Sequence, residues 1–195
     1  MSGQGRELPL FPLNVVLFPG GPLPLRIFET RYLDMVRRCL REETGFGVVC
    51  IAEGPEAAGK TSFHAVGTEA KIVDFNRLED GLLGVTCLGQ QRIRVLEAWR
   101  AEDGLNLGRV EDIPPEPGMP VPPDYAFVAE AAKKILPELG ELYAQVKPGY
   151  EDAAWVGHRL AEVLPLSLAD KQVLLEMDDP IARLAAFAPV IRKAD

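Results

Sequence analysis

The stretch from residue 114 to residue 123 limits the possible folds most, because six of its ten residues are proline. Proline lacks a backbone N–H and fixes φ near −65°, so neither a helix nor a central strand continues through such a run. Apolar residues recur at every second position before this stretch and with a helical period after it. We therefore predict an α+β chain with a β subdomain at residues 1–113, a linker at 114–123 and an α-helical bundle at 124–195.

Five prolines also interrupt the apolar segment between residues 8 and 28, which predicts extended backbone with short edge strands and a turn at residues 19–22. An amphipathic helix is expected to begin near Glu29 or Thr30, because the apolar residues that follow share one helical face. These residues are Tyr32, Met35, Val36, Cys39 and Leu40.

Short alternating segments between residues 67 and 110 predict an antiparallel meander, in which residues 83–87 and 93–95 belong to separate segments. Asp-Gly pairs ending at Gly81 and Gly104 are typical of hairpin turns. Closing such a sheet into a barrel-like shape would protect its edges.

Four or five helices are predicted after the prolines. Asp124 is expected to cap the first, and Pro137 to kink or break it. A further helix should begin near Asp152, Ser167 should cap the next, and Asp179 with Pro180 should begin the last.

The composition argues against several classes of partner. The chain has 21 basic and 29 acidic residues and a net charge of −8, which disfavours nucleic acid. Three cysteines, an odd number in apolar segments, suit a reducing compartment. The proline-broken amino terminus has neither a signal-peptide core nor a membrane span. We therefore expect a cytoplasmic protein with no membrane partner.

One segment matches the phosphate-binding pattern G-x-x-x-x-G-K-[ST], with Gly54, Gly59, Lys60 and Thr61 as its defining residues. A nucleotide site of this type needs a helix that begins at the Lys-Thr step. The following residues have no helical apolar stripe, and the neighbouring strands are predicted to be antiparallel. We therefore interpret the segment as a loop with a chance match and retain nucleotide binding as the disfavoured alternative.

Few residues suggest other chemistry. The serines are Ser2, Ser62 and Ser167, and the two histidines, His64 and His158, lie on different segments, so no hydrolytic triad is indicated. His158 is interpreted as a surface or boundary residue, since no second metal ligand stands at a useful spacing. We predict no catalytic residues, no metal site, no cofactor and no enzymatic activity.

Several segments together resemble the Lon substrate-binding domain, the amino-terminal domain of ATP-dependent Lon proteases. The motifs are LFPL at 10–13, LFPG at 17–20, PLRIFETRYLDM at 24–35, LGQQRIRV at 88–95 and KQVLLE at 171–176. One departure is Thr30, where family members commonly have proline. This difference affects the residue at which the helix is expected to begin. The resemblance covers nearly the whole chain.

This resemblance implies a PUA-like antiparallel β-barrel that contains one helix, followed by a helical bundle. It also implies a non-enzymatic polypeptide-binding or adaptor module, standing alone without the ATPase and protease domains of Lon. Unfolded or tagged polypeptide would be its partner, together with a protease or chaperone that receives the cargo. Glu29 and Arg31 at the start of the helix would lie nearest the bound chain. RNA binding, which other PUA-like barrels perform, is a further alternative that the acidity disfavours.

Overall fold

The computed structural model describes residues 5–52, 62–144 and 146–191. The chain divides into two compact units, Met1–Pro114 and Pro115–Asp195. Within the described residues, no helix is both long and apolar enough to cross a membrane.

The first unit is built on a six-stranded sheet with one helix. Its strands are β1 (Arg6–Leu13), β2 (Pro22–Ile27), β3 (Phe46–Cys50), β4 (Val66–Arg77), β5 (Leu83–Arg100) and β6 (Asn106–Asp112), and α1 spans Thr30–Glu42. The strand order is β2-β5-β4-β3-β1-β6, and β6 also pairs with β5. The pairings thus return to β5, with β2 added beside the first half of that strand.

Two sequence-based expectations for the sheet are wrong. The pairing of β1 with β3 is parallel, whereas the resemblance implies an antiparallel barrel; the meander predicted for residues 67–110 is antiparallel, as β4, β5 and β6 show. Parallel neighbours need a crossover connection, which β2 and α1 provide here. In addition, residues 83–87 and 93–95 belong to one continuous strand, β5, which bends through register shifts where it pairs with β4 and β6.

A further difference concerns β1, whose prolines predict an edge strand. In the structure β1 lies inside the sheet, between β3 and β6. Arg6–Leu10 of β1 pairs with β6, and Leu10–Leu13 pairs with β3. Pro9 and Pro12 therefore lie in parts of the strand that have a neighbour on one side only. A residue without an N–H is tolerated there as it would be on an edge strand.

Helix α1 covers one face of the sheet with the residues that its periodicity predicts. Tyr32, Met35, Val36 and Cys39 are buried, whereas Leu40, predicted on the same face, is 38% exposed. The main core cluster also contains Phe11, Phe46, Val48, Val85 and Cys87 from the strands. A separate cluster of Leu8, Leu10, Val49, Ile93 and Val110 fills another part of the unit.

The proline-glycine turn after β1 is fastened to the middle of β5. The N–H of Gly20 donates to the carbonyl oxygen of Gly89 at 2.8 Å, and the N–H of Gly89 donates to Gly21 at 2.9 Å. A Cβ atom on Gly89 would lie 2.2 Å from the carbonyl oxygen of Phe18. Only glycine allows the two backbones to approach this closely.

The second unit contains five described α-helices and two 3₁₀ turns. The helices are α2 (Ala126–Ile135), α3 (Glu141–Ala144), α4 (Ala153–Val163), α5 (Leu168–Glu176) and α6 (Pro180–Ile191), and the 3₁₀ turns are Pro123–Tyr125 and Leu136–Leu139. Asp152, Ser167 and Asp179 accept hydrogen bonds from N–H groups in the first turns of α4, α5 and α6. Pro137 lies in the turn that separates α2 from α3, as its ring predicts.

A buried ionic cluster lies inside the second unit. Two guanidinium nitrogens of Arg183 donate to the two carboxylate oxygens of Glu116 at 2.7 Å, and Nε2 of His158 lies 3.2 Å from the same carboxylate. His158 is only 6% exposed, so its interpretation as a surface or boundary residue is wrong. Its partner Glu116 lies more than forty residues earlier in the chain. Helical periodicity cannot predict a contact between residues that far apart.

Candidate functional site

A groove of about 380 Å³ lies in the first unit, at the amino-terminal end of α1. The ends of β1 and β2 line two sides of it, and the adjoining ends of β5 and β6 line a third. We call it the α1 groove. The side chains that matter most for its chemistry are Phe11, Phe28, Glu29, Arg31, Arg100 and Asn106.

Aromatic rings form part of the surface of the α1 groove. The rings of Phe11 and Tyr32 stack with centroids 3.9 Å apart, which joins β1 to the first turn of α1. Phe11 packs in turn against Phe46 of β3, with ring centroids 6.0 Å apart. Aromatic pairs of this kind stabilise a surface beyond the area that they bury. The groove therefore contains an aromatic surface among its polar lining residues.

Phe28 extends this apolar surface into solvent. It lies between the end of β2 and the start of α1, and it is 67% exposed. Single exposed apolar residues are common on proteins, but this one lines a concave surface with other apolar groups. Burial of such a side chain contributes roughly 1.5–3 kcal/mol, so Phe28 could supply binding energy to a partner that covers it.

Glu29 and Arg31, which the sequence predicts at the helix start, are brought together by the structure. Glu29 has extended backbone angles, and its carbonyl oxygen accepts the N–H groups of Tyr32 and Leu33. Its side chain makes no capping bond, so the carboxylate is left to pair with Nη2 of Arg31 at 2.7 Å. The α1 helix begins at Thr30, with Glu29 as the residue before its first turn, which agrees with the predicted start near Glu29 or Thr30.

Arg31 is held by three contacts. Besides the pair with Glu29, its Nη1 donates to the carbonyl oxygen of Gly104 at 2.9 Å, and its guanidinium lies 4.8 Å from the centroid of the Tyr32 ring. Gly104 forms the turn between β5 and β6 with a φ of 83°. Arg31 therefore positions that turn beside the groove as well as carrying charge.

A larger depression of about 780 Å³ elsewhere in the first unit is chemically different. It lies around Arg6, whose guanidinium pairs with Glu69 at 2.5 Å and with Asp112 at 2.8 Å. The charge of Arg6 is therefore balanced by two carboxylates on other strands. It has no aromatic lining residue comparable to Phe11 and Phe28 among the residues described, so the α1 groove is the better candidate for an apolar ligand.

The phosphate-binding pattern falls outside the described residues, including Gly54, Gly59, Lys60 and Thr61. The described residues on its two sides pair with each other: Ile51 bridges to Phe63 in antiparallel register, and the N–H of Ala52 donates to Ser62. Strand β4 then begins at Val66. No helix occurs between residues 62 and 66 to present its amino terminus to a phosphate.

The cysteines and Ser167, which could in principle act as nucleophiles, have structural roles. Burial raises the pKa of the Cys39 and Cys50 thiols and raises that of Cys87 to about 12, which leaves them protonated and poorly nucleophilic. Ser167 caps α5. Across residues 5–52, 62–144 and 146–191, no group of three or more His, Cys, Asp or Glu side chains is placed to hold a metal ion.

Sequence reasoning missed Arg100 and Asn106, which line the α1 groove from β5 and β6. Neither residue lies in a recognisable motif. Their positions depend on the register of β5 and β6, which are remote in sequence from the other residues that line the groove. The Asp-Gly turn between them was the available signal, because it brings the two strand ends together.

Comparison with known proteins agrees with the architecture. A family model described as the ATP-dependent protease La (LON) substrate-binding domain matches residues 7–192. The Lon protease of Cytophaga hutchinsonii is 30% identical over 186 residues, which are 90% of this chain and 23% of that protein. Lon protease 2 of Myxococcus xanthus is 27% identical over 95% of this chain and 23% of its own. The chain thus spans less than a quarter of the length of either protease.

Two solved structures share the fold. The Lon N-terminal domain protein from Xanthomonas campestris is 38% identical, has a TM-score of 0.78, and is matched over 93% of this chain and 96% of its own. The N-terminal domain of Mycobacterium avium complex Lon protease superposes with a TM-score of 0.65 at 16% identity, over 96% of this chain and 98% of its own. None of these findings supports the nucleotide-binding or RNA-binding alternative. Because the family model covers both units almost completely, this chain belongs to the family of Lon substrate-binding domains.

Proposed function

We propose that this chain is a non-enzymatic polypeptide-recognition module that binds unfolded or tagged chains through the α1 groove. Glu29 and Arg31 lie on its rim, and Phe28 provides the exposed apolar contact. The observation that carries the proposal is this groove with an exposed aromatic residue, in a family named for substrate binding. A module of this kind would deliver its cargo to a protease or chaperone.

Several finer expectations belong to the same proposal. The return of the strand pairings to β5 supports a small PUA-like barrel for the first unit. We retain residues 114–123 as the segment between the two subdomains. The buried, unpaired thiols of Cys39, Cys50 and Cys87 support a reducing, cytoplasmic location.

The test is binding of fluorescently labelled β-casein, an unfolded polypeptide, followed by fluorescence anisotropy. We expect the wild-type protein to bind it, and we expect Phe28→Ser and the double variant Glu29→Ala/Arg31→Ala to weaken the affinity about tenfold, as loss of a central contact does. Thermal melting of each variant separates lost binding from lost folding, because Arg31 also holds the turn at Gly104.

The matched control is Asp34→Ala/Arg37→Ala, which removes another exposed ion pair of 2.9 Å from the same helix. It should leave the affinity for β-casein unchanged. If wild-type protein fails to bind β-casein, or if both double variants lose affinity equally, the α1 groove is not the binding surface.

A further inference from the structure

We infer that the α1 groove selects polypeptide segments in which an apolar side chain lies next to a carboxylate, and that Arg100 and Asn106 bind that carboxylate. The inference rests on the proposed function, since it names the chemistry of the chain that the groove would bind.

Strand register places these two side chains together. Arg100 is the last residue of β5 and Asn106 is the first of β6, and they lie directly opposite each other in the antiparallel pair. Side chains at directly opposed positions project from the same face of a sheet, about 5 Å apart at their Cβ atoms. Both line the α1 groove, alongside the stacked rings of Phe11 and Tyr32.

The charge balance of the groove distinguishes Arg100 from its other arginines. Arg26 forms an ion pair with Asp80, and Arg31 forms one with Glu29. The guanidinium of Arg100 and the amide of Asn106, by contrast, make no hydrogen bond or ion pair with any residue in the described part of the chain. The groove thus carries one positive charge that the described residues do not balance, although the whole chain has a net charge of −8.

Guanidinium and amide donors match a carboxylate in geometry as well as in charge. Arginine presents a planar fork of N–H groups that binds a carboxylate through two parallel hydrogen bonds, and the asparagine amide can add a third donor. The apolar surface beside them fits an aromatic or aliphatic side chain. An apolar pocket with a few convergent polar groups is the usual form of a selective site.

The carboxylate could come from an Asp or Glu side chain or from the carboxyl terminus of a chain, and labelled peptides distinguish the two sources. The first peptide has a central Phe-Glu step and an amidated terminus, and the second has Phe-Gln at the same place. The third has no acidic side chain but ends in Phe with a free carboxylate, and the fourth is its amidated form. Each is titrated by fluorescence anisotropy against wild-type protein, Arg100→Met, Asn106→Ala and Arg109→Met.

We expect wild-type protein to bind a carboxylate peptide about fivefold more tightly than its neutral counterpart, the size expected of one partly exposed charged contact. Preference for the first peptide over the second identifies a side-chain source, and preference for the third over the fourth identifies a terminal source. Arg100→Met should abolish the preference and Asn106→Ala should reduce it. Arg109→Met removes an equal charge from β6 but lies outside the groove, so it should retain the preference.

Equal binding of the charged and neutral peptides by wild-type protein overturns the inference and leaves the proposed function standing, because the groove would then bind by apolar contact alone. Loss of the preference in Arg109→Met as well as in Arg100→Met also overturns it, since net charge would explain the effect. Failure of every peptide and of β-casein to bind contradicts the proposed function itself. The wild-type comparisons need no variant, so they hold even if Arg100→Met fails to fold.

Discussion

Arg183 illustrates how much a single residue contributes to the second unit. Its side chain is fully buried, bonds to both oxygens of Glu116, and donates further hydrogen bonds to the carbonyl oxygens of Leu174 and Met177. A buried ion pair is tolerated when its hydrogen bonds are this complete, and removing one partner leaves a buried charge without compensation. Arg183 therefore ties α6 to the end of α5 and to the proline-rich segment.

We predict that Arg183→Met lowers the free energy of unfolding by about 3–5 kcal/mol, because Glu116 stays buried without its main cation. Urea unfolding at pH 7, followed by circular dichroism, measures the change. The control Arg109→Met breaks an exposed ion pair with Glu97 and should cost less than about 1 kcal/mol. Equal losses in the two variants would show that the buried pair has no special role.

The same cluster makes stability depend on pH. Burial raises the pKa of Glu116, but interactions with His158 and Arg183 outweigh it and lower that pKa to about 2. Its stabilising contribution is therefore complete above about pH 4.5 and is lost as the pH falls towards 2. Burial lowers the pKa of His158 to about 4, so between pH 6.5 and 4 the unfolded chain takes up a proton that the folded chain does not.

We predict that wild-type protein loses stability as the pH falls from 6.5 to 4, and that His158→Gln loses less over that interval because it has no imidazole to protonate. Unfolding midpoints in urea at several pH values test this. His64→Gln, which removes the other histidine of the chain from the first unit, serves as the control. The prediction fails if His158→Gln and wild-type protein have parallel profiles.

Among the secondary-structure elements, most helices begin where the local sequence predicts. Ser167 and Asp179 cap their helices as expected, and Asp152, near which a helix is predicted to begin, caps α4, because a short polar side chain bonds to N–H groups only two or three residues ahead. Asp124 does not, since a 3₁₀ turn at Pro123–Tyr125 precedes α2 and no side chain caps either. The neighbouring prolines, which fix φ, set the backbone there instead.

We predict that Asp152→Ala costs about 1 kcal/mol of unfolding free energy, because its Oδ1 accepts the N–H groups of Ala154 and Trp155 at 2.8 and 3.1 Å. Asp124→Ala, the matched change at the position that makes no capping bond, should cost less than about 0.5 kcal/mol. Thermal or urea unfolding of both variants compares the two. A larger loss at Asp124 would contradict the assignment of the caps.

For the protein as a whole, the pairing of Ile51 with Phe63 on the two sides of the phosphate-binding pattern argues against a nucleotide site. Anything that binds the folded state alone raises the melting temperature, so ligand binding is directly measurable. We predict that ATP with Mg²⁺ leaves the melting temperature of wild-type protein unchanged, and that Lys60→Ala behaves identically. A stabilisation by ATP that disappears in Lys60→Ala would contradict the interpretation of this segment as a connection between strands.

Features that depend on near neighbours follow from the amino-acid order alone: the amphipathic face of α1, the Asp-Gly turns, the capping residues and the change of period after the prolines. The same holds for the placement of Glu29 and Arg31 at one helix start, because two residues span less than a helical turn. Three features required the folded chain: the parallel pairing of β1 with β3, the burial of His158 beside Glu116, and the meeting of Arg100 and Asn106 with Phe11 in one groove. The cause is distance along the chain. Local propensities fix the conformation of short segments, whereas contacts between remote segments are fixed by strand register and packing, which all the elements of a unit determine together.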